Sequence, residues 1–354
     1  MANKTSSAKR TVYYAPGSKL APRGSQPPLI TMGWVLGAAS FAVVLALIGV
    51  YALLCTLFWQ NQWEMLFPLP GAAITRITAT PASVGLPFER VTFPGLTGQS
   101  GQAQQQSPAQ LTGWWIPAAS TKPETALKAA SAPLAPTAAP SAAPTVLYLH
   151  GAQQSLSSAL PALVALHAAG AQVLAIDYSG YGASRGPHPT EQQAQADTLA
   201  AWQYLVSQRG VSAPQIIAFG VGAGASFATA LDQRHPLGGL ILADIGPTAR
   251  QTFEQDPRAR LLPLVLLARE QLNPAPALST LATPKLFLRW EPIAEKRAES
   301  SQEVNPKSTK TGTGNTVLDF ERASGPKQLV DLHATSPKLA AKTLQGFFAA
   351  AAAK

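Results

Sequence analysis

The stretch "IIAFGVGAGASFATA" (residues 216–230) places a run of small residues between an apolar, strand-like segment and a helix-like one. Two patterns overlap on it. Gly220-Val221-Gly222-Ala223-Gly224 reads as a G-x-S-x-G strand-to-helix turn with glycine where the serine belongs. Gly220, Gly222 and Ala225 also fit the G-x-G-x-x-A turn of a dinucleotide site, with Asp244 about 20 residues further on where a ribose contact would sit. The first is a nucleophile turn without its nucleophile; the second is a cofactor site.

The surroundings of this stretch set its context. From Thr145 onward, short apolar runs alternate with helical stretches: "TVLYLHG" (145–151), a helix over 156–169, "AQVLAIDYSGYG" (171–182), and a helix opened by Thr190 and Gln193 as a capping box and running to Gln208. "PQIIAFG" (214–220), a helix over 223–233, "LGGLILAD" (237–244), "PKLFLRW" (284–290) and "KQLVDL" (327–332) continue the pattern, and Ser336-Pro337 opens a closing helix. Short strands apolar on both faces and separated by helices predict a mostly parallel sheet covered on both sides. Upstream, "LPFERVTF" (86–93) and "LTGWWIP" (111–117) read as a strand pair. Low-complexity inserts follow at 95–110 and 118–144, and 295–325 reads as a polar loop.

The chain has 27 Lys and Arg against 18 Asp and Glu, a formal charge of +9. Lys4, Lys9, Arg10, Lys19 and Arg23 supply about half of that excess, and no aromatic-interleaved basic stripe follows them, which argues against nucleic acid. They flank an apolar run instead. No charge falls between Gly24 and Trp63, and about 20 apolar residues suffice to cross a bilayer. Trp34, Trp59 and Trp63 sit where interfacial anchors belong, and the basic flank predicts a cytoplasmic N-terminus. The expected layout is a basic cytoplasmic segment (1–28), an uncleaved transmembrane signal anchor (29–59), a juxtamembrane linker (60–85) and an extracytoplasmic domain (86–354), periplasmic in a bacterium. Cys55 is the single cysteine, so no internal disulfide forms. His150, His167, His188, His235 and His333 show no paired ligand spacing, and no metal or other cofactor is expected.

Taken together, "GLPFERVTF", "LTGWWIP", "LYLHG", "IDYSGYGASRG", "FGVGAGASFATA", "LILADIG", "PKLFLRW" and "LVDLHA" resemble, in order and spacing, the α/β-hydrolase superfamily, in particular its membrane-anchored bud-emergence-type and serine-aminopeptidase-like branch. The resemblance implies the α/β-hydrolase fold, a mostly parallel central sheet with helices on both faces, preceded here by one transmembrane helix. It implies a serine at position 222, activated by a histidine that a carboxylate orients, with backbone N–H groups receiving the oxyanion. Gly222 removes the nucleophile. Ile293 falls where the acid aligns, leaving Glu291, Glu295 or, on the preceding strand, Asp244 as substitutes, and His333 falls close to the histidine position. His150, Gly151 and Ala152 match the oxyanion loop, and Ala152 and Ala223 supply its N–H pair, an anion nook that survives loss of the serine.

Other serines nearby, Ser226, Ser179 and Ser155, lack the turn geometry of a nucleophile, and Asp177 belongs to the "DYSGYG" turn. The leading expectation is therefore a non-catalytic pseudo-hydrolase that binds a small acyl or anionic ligand or a protein partner. An active esterase or peptidase with an unconventional nucleophile, or with a water activated by His333, is the alternative. The dinucleotide oxidoreductase is a minor one, because at least two strand–helix units precede the motif, whereas dinucleotide turns usually open their domain.

Overall fold

A computed structural model describes residues 31–68, 79–96, 109–119, 143–186, 188–291, 315–333 and 337–353. The chain divides into two compact units, Met1–Thr56 and Leu57–Lys354. Helix α1 (Met32–Leu66) is a candidate membrane span by length and composition, with a mean hydropathy of 2.6 over its most apolar 18 residues. Thirty-five residues at 1.5 Å each extend about 52 Å, well beyond the roughly 30 Å of a bilayer core. The helix runs on through 60–66, a segment that reads as linker in the sequence because Asn61, Gln62 and Glu64 interrupt the apolar run.

The second unit is built on an eight-stranded sheet of order β1-β2-β4-β3-β5-β6-β7-β8. The strands are β1 (Glu89–Pro94), β2 (Gln110–Ile116), β3 (Thr145–Leu149), β4 (Gln172–Asp177), β5 (Ile216–Val221), β6 (Gly239–Ala243), β7 (Lys285–Glu291) and β8 (Lys327–His333). β1 pairs antiparallel with β2, and β2 with β4; the remaining pairs are parallel. Between the strands lie α2 (Leu160–Ala168), α3 (Glu191–Ser207), α4 (Gly224–Arg234), α5 (Ala249–Gln255) and a helix α6 over 315–322, and α7 (Pro337–Ala352) follows β8.

Side-chain alternation divides the core into two layers. Leu147, Leu149, Leu174, Ile176, Leu240 and Leu242 face one side, under Ala194, Ala201 and Leu205 of α3 and Phe227 and Leu231 of α4. Val146, Tyr148, Val173, Ile217, Phe219 and Ile241 face the other, under Leu163 and Leu166 of α2 and Leu344, Phe347 and Phe348 of α7. Burial of each such aliphatic side chain contributes about 1.5–3 kcal/mol, so the two covered faces dominate the drive to fold.

Two sequence expectations change in detail. Thr190 caps α3, its Oγ1 accepting the Gln193 N–H at 3.1 Å, while the Gln193 amide donates to the Leu96 carbonyl and Asp197 Oδ1, both at 2.8 Å. The polar stretch 295–325 carries helix α6. Thr316 Oγ1 accepts the Ile245 N–H at 2.9 Å, Asn315 Nδ2 donates to the Gly246 carbonyl at 2.8 Å, and Phe320 packs edge-on against Phe287 of β7. The low-complexity inserts fall largely outside the described residues, as do Ile293 and Glu295.

Candidate functional site

β5 leads through Gly222 directly into α4, in the middle of the sheet and at the C-terminal ends of its parallel strands. Gly222 has φ +55°, the left-handed conformation that a tight strand-to-helix turn demands. Its neighbours are small for a steric reason. A Cβ on Gly220 would lie 2.6 Å from Ala225 Cα, and one on Gly224 would overlap the Leu149 carbonyl oxygen and lie 3.0 Å from that of His150. At Gly222 itself the space is open, because a Cβ there would rest 3.6 Å from Gly151 Cα and 3.9 Å from the Asp244 carbonyl oxygen, ordinary contact distances. The turn thus keeps room for a side chain that the sequence does not supply.

The loop opposite is held by aromatic residues from the exit of β4. Tyr178 donates its hydroxyl to the His150 carbonyl at 3.1 Å, and Tyr181 to the Ala152 carbonyl at 2.6 Å. The Gly151 N–H donates to Gln154 Oε1 at 3.0 Å, and the Gln154 N–H closes the turn on the Gly151 carbonyl at 3.0 Å. Neither the Ala152 nor the Ala223 N–H is donated to an acceptor among the described residues.

Beneath this loop, His150 and Asp177 form a buried pair. His150 Nδ1 lies 2.8 Å from the Gly151 carbonyl, so that nitrogen carries a proton, and Nε2 lies 3.8 Å from Asp177 Oδ1. Burial pushes His150 down to about 4 and Asp177 up to about 6, the latter opposed by the N–H groups of Ala183 and Leu156. Both groups are nearly inaccessible, and neither His150 Nε2 nor Asp177 Oδ1 has a hydrogen-bond partner among the described residues, so the two lie side by side without a bond between them. A Cβ on Gly182 would collide with the Asp177 carboxylate.

A cavity of about 60 Å³ opens beside the turn, lined by Tyr148, Gln154, Val221, Ala243 and Asp244 among others. It has room for a few water molecules. Asp244 follows β6 with φ +44°, an unusual conformation for a side-chain-bearing residue, and its N–H donates to the Leu288 carbonyl at 3.0 Å.

The arrangement of strands, turn and loop matches known proteins. A family model described as serine aminopeptidase, S33, matches residues 140–306. A solved α/β-hydrolase from Vibrio vulnificus superposes with a TM-score of 0.50 at 19% identity, covering 83% of this chain and 90% of that one. The chain has the α/β-hydrolase fold. Its relatives include an uncharacterized protein of Mycobacterium tuberculosis, 28% identical over 188 residues that make up 53% of this chain and 54% of the relative. Alpha/beta hydrolase domain-containing protein 17C of Homo sapiens is 35% identical over 105 residues, 29% of this chain and 32% of the relative. The chain thus spans about half of the length of the first relative and a third of the second.

Within this α/β-hydrolase fold, Gly222 meets Gly151 and Asp244, with Ala223 and Ala152 next to them in the chain and His150 bonded to the Gly151 carbonyl. His333 does not join them by backbone position. It ends β8, three strands from β5 and paired in register with Glu291, a lateral offset of about 14 Å at the usual strand spacing. The side chains of His333 and Glu291 lie outside the described residues. The other serines are structural. Ser179 donates to Asp197 Oδ1 at 3.1 Å from a fully buried position, Ser226 is buried in the first turn of α4, and Ser155 forms a reciprocal capping box with Ser158. The dinucleotide layout also fails on topology, because β3 and β4 with their helices precede β5 in the same sheet. Gln154, which fixes the loop, has no signature in the sequence beyond standing three residues after Gly151.

Proposed function

We propose that this chain is a membrane-anchored pseudo-hydrolase. Its N-terminus faces the cytoplasm, and its α/β-hydrolase domain lies outside and binds or scaffolds through the cleft rather than hydrolysing. The single observation that carries the reading is Gly222 itself. The turn keeps its left-handed backbone, its close-packed glycine flanks and open space for a side chain, yet holds no atom that can attack a carbonyl.

The ligand class follows from what remains. The N–H groups of Ala152 and Ala223 favour a carboxylate or another small acyl or anionic group, and the 60 Å³ cavity limits how much of it is enclosed. The apolar helix and the basic residues before it support the anchor and its orientation. Any residual activity would be hydrolytic, through a water activated by His333 brought across the sheet from the end of β8, with Asp244 as the carboxylate.

Two measurements on the full chain in detergent test this proposal. Hydrolysis of a panel of activated acyl esters should stay at the buffer rate, and a saturating short-chain carboxylate should raise the thermal midpoint. Ester turnover that disappears in His333→Ala would replace the proposal with an active hydrolase using an unconventional mechanism.

A further inference from the structure

The loop after α5 reads "RLLPLVLLAR" from Arg260 to Arg269, and it stands out against the rest of the domain surface. Leu261, Val265 and Leu266 are 84%, 81% and 81% exposed, the three most exposed large apolar side chains among the described residues. A contiguous apolar tip on a soluble surface marks a place that something covers.

What covers it follows from what the loop is fastened to. Gln62, near the end of α1, is buried and clamps the loop from both sides, accepting the Arg269 N–H on Oε1 at 2.8 Å and donating from Nε2 to the Leu267 carbonyl at 3.3 Å. The Arg269 guanidinium lies 3.5 Å over the Trp59 ring, and Phe58 packs edge-on against Phe253 of α5, with ring centroids 5.1 Å apart. The loop is thus tied to Phe58, Trp59 and Gln62, which immediately follow the apolar run of α1. A tryptophan at that position belongs at the lipid–water interface, and a side chain fixed to it shares its depth.

The ends of the loop carry the matching charge. Arg260 and Arg269 are exposed and bracket the aliphatic tip. Aliphatic tips flanked by arginine are the pattern of interfacial membrane segments, whose apolar side chains sit about 5–10 Å into the headgroup and acyl boundary while guanidinium groups meet phosphates.

We infer that the Leu261–Leu267 loop is a second membrane contact, inserted into the lipid leaflet beside the exit of α1 and holding the hydrolase-fold domain against the bilayer. The inference rests on the membrane-anchored reading of α1. Two contacts fix a domain on a membrane where one helix alone leaves it free to swivel, so the loop would set how the Gly222 cleft faces the membrane surface.

The test uses the full chain in a Cys55→Ser background, with an environment-sensitive fluorophore attached at Leu266→Cys or Val265→Cys. Both side chains are exposed, so neither substitution disturbs packing. The protein is reconstituted in phosphatidylcholine–phosphatidylglycerol vesicles with and without lipids carrying a nitroxide near the top of the acyl chain. Leu45→Cys, inside the apolar run, serves as the reference position. Blue-shifted emission that the nitroxide quenches at 265 and 266, with quenching also at 45, is the expected result. Quenching at 45 with unshifted, unquenched emission at 265 and 266 overturns the loop contact alone and assigns the patch to a protein partner. No quenching at 45 removes the membrane anchor itself, and the loop contact with it.

Discussion

Adding one methyl group at each of two glycines in the β5–α4 turn separates what sterics demand from what chemistry has lost. In Gly224→Ala, the new Cβ overlaps the Leu149 carbonyl oxygen and lies 3.0 Å from that of His150, both on backbone at the centre of the sheet. Overpacking typically costs 1–3 kcal/mol and occasionally more, and with no flexible side chain to yield, about 3 kcal/mol or more is expected here. In Gly222→Ala the nearest atom is Gly151 Cα at 3.6 Å. The remaining cost is the φ of +55°, worth about 1–2 kcal/mol for a residue with a Cβ. At about 2–4 °C per kcal/mol for a domain near this size, Gly222→Ala should lower the midpoint by a few degrees and Gly224→Ala by about 10 °C or more. Thermal unfolding of the full chain in detergent, followed by circular dichroism, measures both. Equal losses, or a larger loss at Gly222, would refute the geometry of the turn and the argument that a serine once fitted there.

Two further perturbations probe buried charge. Glu270 accepts the Glu191 N–H at 2.6 Å, and burial, reinforced by the Glu191 carboxylate, raises it from 4.5 to about 7, a penalty on the charged form of about 3 kcal/mol at 1.36 kcal/mol per pKa unit. An acid raised in the folded state costs stability as pH climbs from its unfolded value through its folded one. Glu270→Gln should therefore match the wild type near pH 4.5 and be the more stable protein at pH 8, and denaturant titrations at both pH values check this; equal stability at pH 8 would contradict the shift. Lys285 of β7 is 1% exposed and donates to the carbonyls of Leu281, Thr283 and Ser324 at 2.6, 2.9 and 2.9 Å. Lys285→Met removes the donor those carbonyls share and should cost about 3–5 kcal/mol in urea unfolding, with an unchanged midpoint as the contrary result.

Most of the sheet was legible because its strands are covered on both faces, which leaves continuous runs such as "TVLYL" and "LILA" bounded by glycines and polar turns. The turn at Gly222 was legible for the same kind of reason, since only close approach explains glycine at both 220 and 224. What sequence reading missed is held by distant partners. Helix α6 begins in a polar window and is fixed by Asn315 and Thr316 bonding to the loop after β6. The extension of α1 past Trp59 carries Gln62 to a loop some 200 residues away, whereas side-chain polarity alone reads as a linker. Gln154 likewise acts through one hydrogen bond to Gly151 that no spacing rule announces.

Whether this polypeptide can form a bond to an acyl or phosphonyl centre decides between pseudo-hydrolase and enzyme. Incubating the wild-type full chain with a fluorophosphonate and reading its intact mass addresses that directly. An unmodified mass at long incubation is the predicted result, and a stoichiometric adduct mapping to any serine of the domain would contradict a non-catalytic turn.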